Sequence, residues 1–144
     1  MIDTSLSPAR TRWHRSFPEL DHEIETLIGT LKQGLPAERL DALTSTLALP
    51  TSRVADLLSI PSSTLSRRRK SGRLDRDESE RAFRLARLVE RAADVLGSLD
   101  AGTEWLKQPQ FALGGATPLQ FADTEPGARE VEHLLGRIEH GIPV

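Results

Sequence analysis

Residues 51–72 read TSRVADLLSIPSSTLSRRRKSG, and this stretch decides how we interpret the chain. The letters LSIP at 58–61 predict a tight turn between two short helices. Ala55 is small enough to let the second helix cross the first closely, and Ile60 and Leu65 are apolar positions in and after the turn. The stretch therefore predicts two short helices that pack across a turn.

This arrangement is that of a helix-turn-helix, whose second helix enters the major groove of DNA. Ser59 stands where glycine is usual, so we expect the turn to avoid a left-handed backbone or to accept strain. Arg68 stands where an apolar residue is common. Short serine side chains let the backbone approach DNA, and arginine can bond a guanine edge twice. The predicted DNA-binding residues are Ser62, Ser63, Thr64, Ser66, Arg67, Arg68, Lys70 and Arg73. A basic helix face that contacts only solvent is the alternative.

Charge divides the 144 residues unevenly around a net charge of -2. Residues 1–73 hold 11 basic and 8 acidic residues, whereas residues 74–144 hold 8 and 13. A basic first half and an acidic second half suggest two surfaces with different partners. The chain has no cysteine and no apolar run long enough for a bilayer, so we expect a cytoplasmic protein without membrane contact. The Arg- and Ser-rich start fits a disordered arm or, as a second interpretation, a transit peptide.

Helical periodicity extends over the rest of the chain, and no useful segment alternates with period two. We predict an all-α fold in which the last helix ends near His140. A helix from Pro18 should turn its apolar residues inward, and Asp75 with Glu78 should form a capping box before a long helix. Asp100 should cap a shorter one. We expect a flexible arm at 1–17, a helix-turn-helix domain at 18–76, a connecting and dimerisation helix at 77–97, and a last domain at 98–144.

Motifs of catalysis are missing from the sequence: there is no GxSxG, P-loop or GxGxxG. His133 and His140 lie two helical turns apart, about 10 Å along the axis, which is too far to share one metal ion. We therefore expect no catalytic residue, no metal site and no cofactor.

The last third of the chain adds a family resemblance. The segment WLKQPQFALGGATPLQFADTEPGAREVEHLLGRIEHG, residues 105–141, resembles the C-terminal domain of Xre/MbcA/ParS-type antitoxins. The matching features are Trp105-Leu106, the ALGG run, Thr117-Pro118-Leu119, Asp123-Thr124 with Gly127, and the final Ile138 to Gly141. The resemblance covers roughly residues 52–141, because the helix-turn-helix and the segment 72–81 are also similar to this family.

This resemblance implies two partners: a RES-domain toxin that degrades NAD, and the promoter DNA of the protein's own operon. It also implies an Xre-like helix-turn-helix domain followed by a small helical toxin-binding domain, and a homodimer. We hypothesise that the end of the last helix and the tail cover the toxin's active site, and that the carboxylate of Glu139 or of Val144 stands in for a substrate anion. The predicted toxin-binding residues are Arg137, Glu139, His140, Gly141 and Val144. A stand-alone dimeric helix-turn-helix regulator of transcription is the alternative.

Overall fold

A computed structural model describes residues 6–143, and within that range the protein consists of helices and their connections without a strand. The nine α-helices of the described residues are α1 Pro8–Ser16, α2 Ile24–Gln33, α3 Arg39–Leu47, α4 Thr51–Leu57, α5 Ser62–Ser71, α6 Arg76–Leu96, α7 Leu99–Leu106, α8 Pro118–Phe121 and α9 Glu125–Glu139. Short 3-10 turns occupy Pro18–Asp21 and Phe111–Leu113. The prediction of an all-α fold is confirmed.

The long helix α6 is the centre of the core. The predicted capping box is confirmed: the Asp75 carboxylate accepts from the Glu78 amide at 2.7 Å, and the Glu78 carboxylate accepts from the Asp75 amide at 2.9 Å. The apolar stripe of α6, which includes Ala86, Val89 and Ala93, is fully buried against α7, α9 and helices of the first half. We predicted a dimerisation helix at 77–97, but this stripe is not available to a second copy of the chain, because the chain's own helices cover it.

Helices α6 and α7 pack unusually closely. A Cβ atom at Gly102 of α7 would lie only 2.6 Å from the backbone nitrogen of Ala93 in α6, so only glycine permits this approach. The cap of α7 differs from the prediction. The Ser98 hydroxyl accepts from the Ala101 amide at 3.0 Å, whereas Asp100 lies within the first turn.

The N-terminal segment also differs from the prediction. Residues 8–17 are not a flexible arm, because Trp13 and Phe17 are buried and bring α1 onto the core. The Phe17 ring centre lies 5.6 Å from that of Trp13 and 6.4 Å from that of Phe83 in α6. Arg10 adds a hydrogen bond of 3.1 Å to the carboxylate of Glu90. Residues 1–5 of the predicted arm lie outside the described residues.

The predicted inward face of the next helix is only partly correct. The residues after Pro18 form a 3-10 turn, in which Glu19 is buried and paired with Arg39 at 2.6 Å, so the α-helix begins later, at Ile24. Leu27 is buried, but Ile24 is 67% exposed and Ile28 is 46% exposed. Helix α2 therefore shows an apolar strip to solvent that its periodicity had placed in the core.

Candidate functional sites

The helix-turn-helix geometry is present at residues 51–71 as α4, a four-residue turn at 58–61 that ends with Pro61, and α5. Ala55, Leu58 and Ile60 are buried, as the sequence predicts, and the Ile60 amide closes the turn with a 2.8 Å hydrogen bond to the Ala55 carbonyl. Ser59 has φ of 56°, in the left-handed region. Of the two alternatives for the turn, the chain thus accepts the strained backbone, which costs a non-glycine residue about 1–2 kcal/mol.

Helix α5 has no fully buried residue, and most of its predicted DNA-binding side chains point to solvent. Ser62, Ser63, Ser66, Arg67 and Lys70 are exposed. Thr64 is partly buried and accepts a 3.2 Å hydrogen bond from the Arg67 guanidinium. Among the described residues, no carboxylate forms an ion pair with Arg67 or Lys70, so both cations are available to an anionic partner.

Arg68 has a different place from the one we predicted. Its Nε donates to Glu78 at 2.7 Å and its Nη2 donates to Asp75 at 3.2 Å, so the side chain folds back onto the capping box of α6. The hydrogen bond to Glu78 raises the pKa of Arg68 above its ordinary value. Its charge is therefore neutralised within the chain, and Arg68 joins α5 to α6 instead of facing a groove.

Arg73 is exposed but also holds the fold together. Its guanidinium donates to the Gly34 carbonyl at 2.7 Å, and its backbone forms an isolated β-bridge with Pro36. Of the remaining cations of α5, Arg69 pairs with Asp41 at 3.1 Å on the surface. Arg67 and Lys70, the two cations of α5 without an ion pair, are thus the positive groups best placed to contact DNA.

At the other end of the chain, the tail folds back along α9. The Arg137 guanidinium donates to the Pro143 carbonyl at 2.9 Å, and Gly141 has φ of 68° where the chain reverses. Arg137, Glu139, His140 and Gly141 are all exposed, while Val144 lies outside the described residues. Four of the five predicted toxin-binding residues therefore form one solvent-facing end of the protein.

Glu139 already has a partner in the chain. Arg91 of α6 donates to both carboxylate oxygens, at 3.0 and 3.1 Å, and this hydrogen bonding lowers the pKa of Glu139. A carboxylate that stands in for a substrate anion must be available to the toxin. The Glu139 carboxylate could act that way only by leaving Arg91, which weakens this part of the hypothesis.

Neither a metal-binding cluster nor a membrane-spanning helix is present within residues 6–143. No group of three or more His, Cys, Asp or Glu side chains in this part of the chain could hold a metal ion. No helix in it is long and apolar enough to cross a bilayer.

Sequence reasoning missed two exposed apolar features. One is the strip of Ile24 and Ile28 on α2, and the other is Phe111, which is 97% exposed after α7. Periodicity assigns the apolar residues of a helix to the core by default, and an aromatic residue in a loop gives no periodic signal.

Comparison with known proteins identifies a domain in each half of the chain. Residues 26–87 match the family model of the antitoxin Xre-like helix-turn-helix domain, and residues 91–141 match that of the antitoxin Xre/MbcA/ParS C-terminal toxin-binding domain. The chain is 35% identical to an Antitoxin Xre of Yersinia enterocolitica over 119 residues, which are 81% of this chain and 80% of the relative. It is 36% identical to an Antitoxin Xre of Photorhabdus laumondii over 114 residues, 78% of this chain and 77% of that one.

A third relative bears a different name. A Prs ADP-ribosylating antitoxin of Sphingobium is 30% identical over 124 residues, which cover 79% of this chain and 78% of the relative. The two family models together cover most of the described residues. The helix-turn-helix model includes the exposed helix α5, and the toxin-binding model includes the end of α9. This chain therefore belongs to the Xre/MbcA/ParS-type antitoxins, which combine a helix-turn-helix domain with a toxin-binding domain.

Proposed function

We propose that this protein is the antitoxin of a type II RES–Xre toxin–antitoxin system in the cytoplasm. It neutralises an NAD-degrading RES-domain toxin by binding it and covering its active site, and it represses its own operon through α5. It acts by binding and not by catalysis. The observation that carries this proposal is that one chain joins an exposed helix-turn-helix to a region that matches a toxin-binding domain.

The repressor part of the proposal rests on the outer face of α5. Short serines at the start of the helix leave room for close approach, and Arg67 and Lys70 carry unpaired charge on the exposed side. Contacts of these cations with phosphates release counterions, so we expect operator binding to weaken steeply as salt is raised.

The toxin part rests on the family and on charge. Residues 98–144 hold seven acidic and three basic residues, a balance that suits a cationic cleft and disfavours DNA. The name of the Sphingobium relative refers to ADP-ribosylation. ADP-ribosyl transfer and NAD degradation both consume NAD, so an NAD-binding toxin fits either outcome.

We further propose that the protein is a homodimer and that α2 carries the contact. Helix-turn-helix proteins commonly bind two half-sites as dimers, and a dimer needs an apolar surface that the monomer leaves open. The α6 stripe is covered, whereas Ile24 and Ile28 are exposed one turn apart. Ile24→Asp should yield a monomer by light scattering, while Ile142→Asp, at a residue that is 51% exposed near the C-terminus, should leave the dimer intact.

The function is tested by co-expression with the product of the neighbouring gene. Cells that express that product alone should lose NAD and stop growing, and cells that also express this chain should keep both. The same chain should shift a fragment of its own promoter in a gel. Failure to protect cells would refute the antitoxin assignment, and a promoter shift without a toxin partner would instead favour a stand-alone regulator. If NAD stays at its normal level and a target protein becomes ADP-ribosylated, the activity of the toxin is ADP-ribosylation and not NAD degradation.

A further inference from the structure

Phe111 is placed where an aromatic side chain gains nothing from folding. Its side chain is 97% exposed, more than any other large apolar residue among those the structure describes. An isolated surface leucine or isoleucine needs no explanation, but a whole phenyl ring in water forgoes the burial that normally stabilises it.

The loop that carries Phe111 is closed and well anchored. The Gln110 amide donates to the Ala116 carbonyl at 3.0 Å, and the Gly115 amide donates back to the Gln110 carbonyl at 3.0 Å. Leu113, two residues after the exposed ring, is buried and attaches the loop to the core. The loop therefore presents one side to the core and the phenyl ring to solvent.

Such a loop suits recognition because its backbone is already ordered. The chain reverses at Gly114 and Gly115, with φ of 67° and 88°, so the shape is fixed by residues that adopt it without strain. Binding a partner then costs little loop entropy, which raises affinity for a given contact area. Rigidly held aromatic residues at the centre of an interface are typical hot spots.

Two further observations select the kind of partner. Phe111 lies within residues 91–141, the segment that matches a toxin-binding domain. Acidic side chains exceed basic ones in this domain, and Asp123 and Glu130 line a shallow hollow with Phe121, a second exposed aromatic ring. The complementary toxin surface therefore has an apolar pocket for the ring and carries net positive charge.

We propose that Phe111 is the aromatic anchor of the toxin interface and inserts into an apolar pocket on the toxin. This inference rests on the proposed function, since it takes the toxin as the occupant. It adds a contact distinct from the C-terminal end of α9: the tail covers the toxin's active site, while the Phe111 loop supplies much of the affinity.

The test compares truncation of Phe111 with truncation of an exposed residue outside the toxin-binding segment, both in the full-length chain. Phe111→Ala should weaken binding of the purified product of the neighbouring gene by about 30-fold or more, the size expected of a hot spot. Gln33→Ala is the control, because Gln33 is exposed and uncharged and lies outside both the toxin-binding segment and the strip of Ile24 and Ile28. It should change the dissociation constant less than twofold. Both variants should unfold at nearly the urea concentration of the unmodified chain.

Three results would overturn the inference. If Phe111→Ala binds within threefold of the unmodified chain, Phe111 is not the anchor, and the proposed function stands. If Phe111→Ala instead converts a dimer to a monomer by light scattering, its partner is a second copy of the chain. If the unmodified chain does not bind the toxin, both the inference and the proposed function fail.

Discussion

The close contact of α6 and α7 predicts the effect of adding one methyl group at Gly102. The new Cβ atom would lie 2.6 Å from the nitrogen and 2.9 Å from the Cα of Ala93, and 2.8 Å from the carbonyl carbon of Ala92. Carbon atoms pack best at about 3.5–4.0 Å, so the helices must separate by about 1 Å. Backbone atoms cannot rotate away as a side chain can, and the separation spreads along the whole contact.

The expected magnitude follows from two opposing effects. Overpacking in a core typically costs about 1–3 kcal/mol, and contact with backbone on three sides places Gly102→Ala at the upper end of that range. Alanine in place of glycine inside a helix returns about 1 kcal/mol. We therefore expect Gly102→Ala to lower the free energy of unfolding by about 1–2 kcal/mol.

A matched substitution isolates the clash. Gly29 also lies inside a helix, α2, but a Cβ atom there would meet nothing within 4 Å. Gly29→Ala should thus keep the helical gain and stabilise the chain by about 1 kcal/mol. Urea unfolding followed by circular dichroism measures both variants. Equal stabilisation by both would show that α7 can move away from α6 freely and would refute the reasoning.

Three further predictions concern the turn, the C-terminal ion pair and the DNA face. Ser59→Gly should stabilise the chain by about 0.5–1 kcal/mol in urea unfolding. The substitution relieves a left-handed strain of about 1–2 kcal/mol, and the entropy cost of glycine offsets part of this gain. A loss of stability would mean that the serine makes a compensating contact. Glu139→Gln should lower the melting temperature at pH 7, and this difference should shrink as the pH falls through the lowered pKa of Glu139, because Arg91 stabilises the carboxylate only while it is ionised. A difference that stays constant as the pH is lowered would contradict this. Arg67→Ala should weaken operator binding by about 1–3 kcal/mol if Arg67 contacts a base; an unchanged gel shift would make it a bystander.

Local chemistry made much of the C-terminal half predictable. The capping box at Asp75 follows from a short motif that needs no knowledge of the tertiary structure, and it is present. The turn before α5 was likewise recognised from a few letters. These features depend on neighbours in sequence, which a single chain displays directly.

Features that depend on distant neighbours could not be predicted in the same way. Trp13 and Phe17 lie in a strongly polar segment, so hydropathy suggested an arm, and only the position of Phe83 on α6 explains their burial. Ile24 lies on a face that periodicity marks as apolar, but nothing in the sequence says whether the core reaches it.

The candidate DNA-binding site likewise combines features that depend on sequence neighbours with features that depend on distant residues. The exposed residues of α5 follow from its register, whereas the role of Arg68 depends on Glu78 ten residues further on. A basic run reveals its charges but not which of them are neutralised by the fold. The exposure of Phe111 depends on which distant elements reach its loop, and the sequence does not give this.

Helix α6 has one more consequence, which concerns the stability of the chain as a whole. A single connected cluster of buried residues runs from Trp13 through α6 to Leu135, so neither half can melt without exposing the core of the other. We expect one cooperative unfolding transition. A partner bound at either end would then protect the whole chain, by about 2.7 kcal/mol at a hundredfold excess over its dissociation constant. Release of a partner from the toxin-binding domain would therefore also make the helix-turn-helix domain more prone to unfolding and proteolysis.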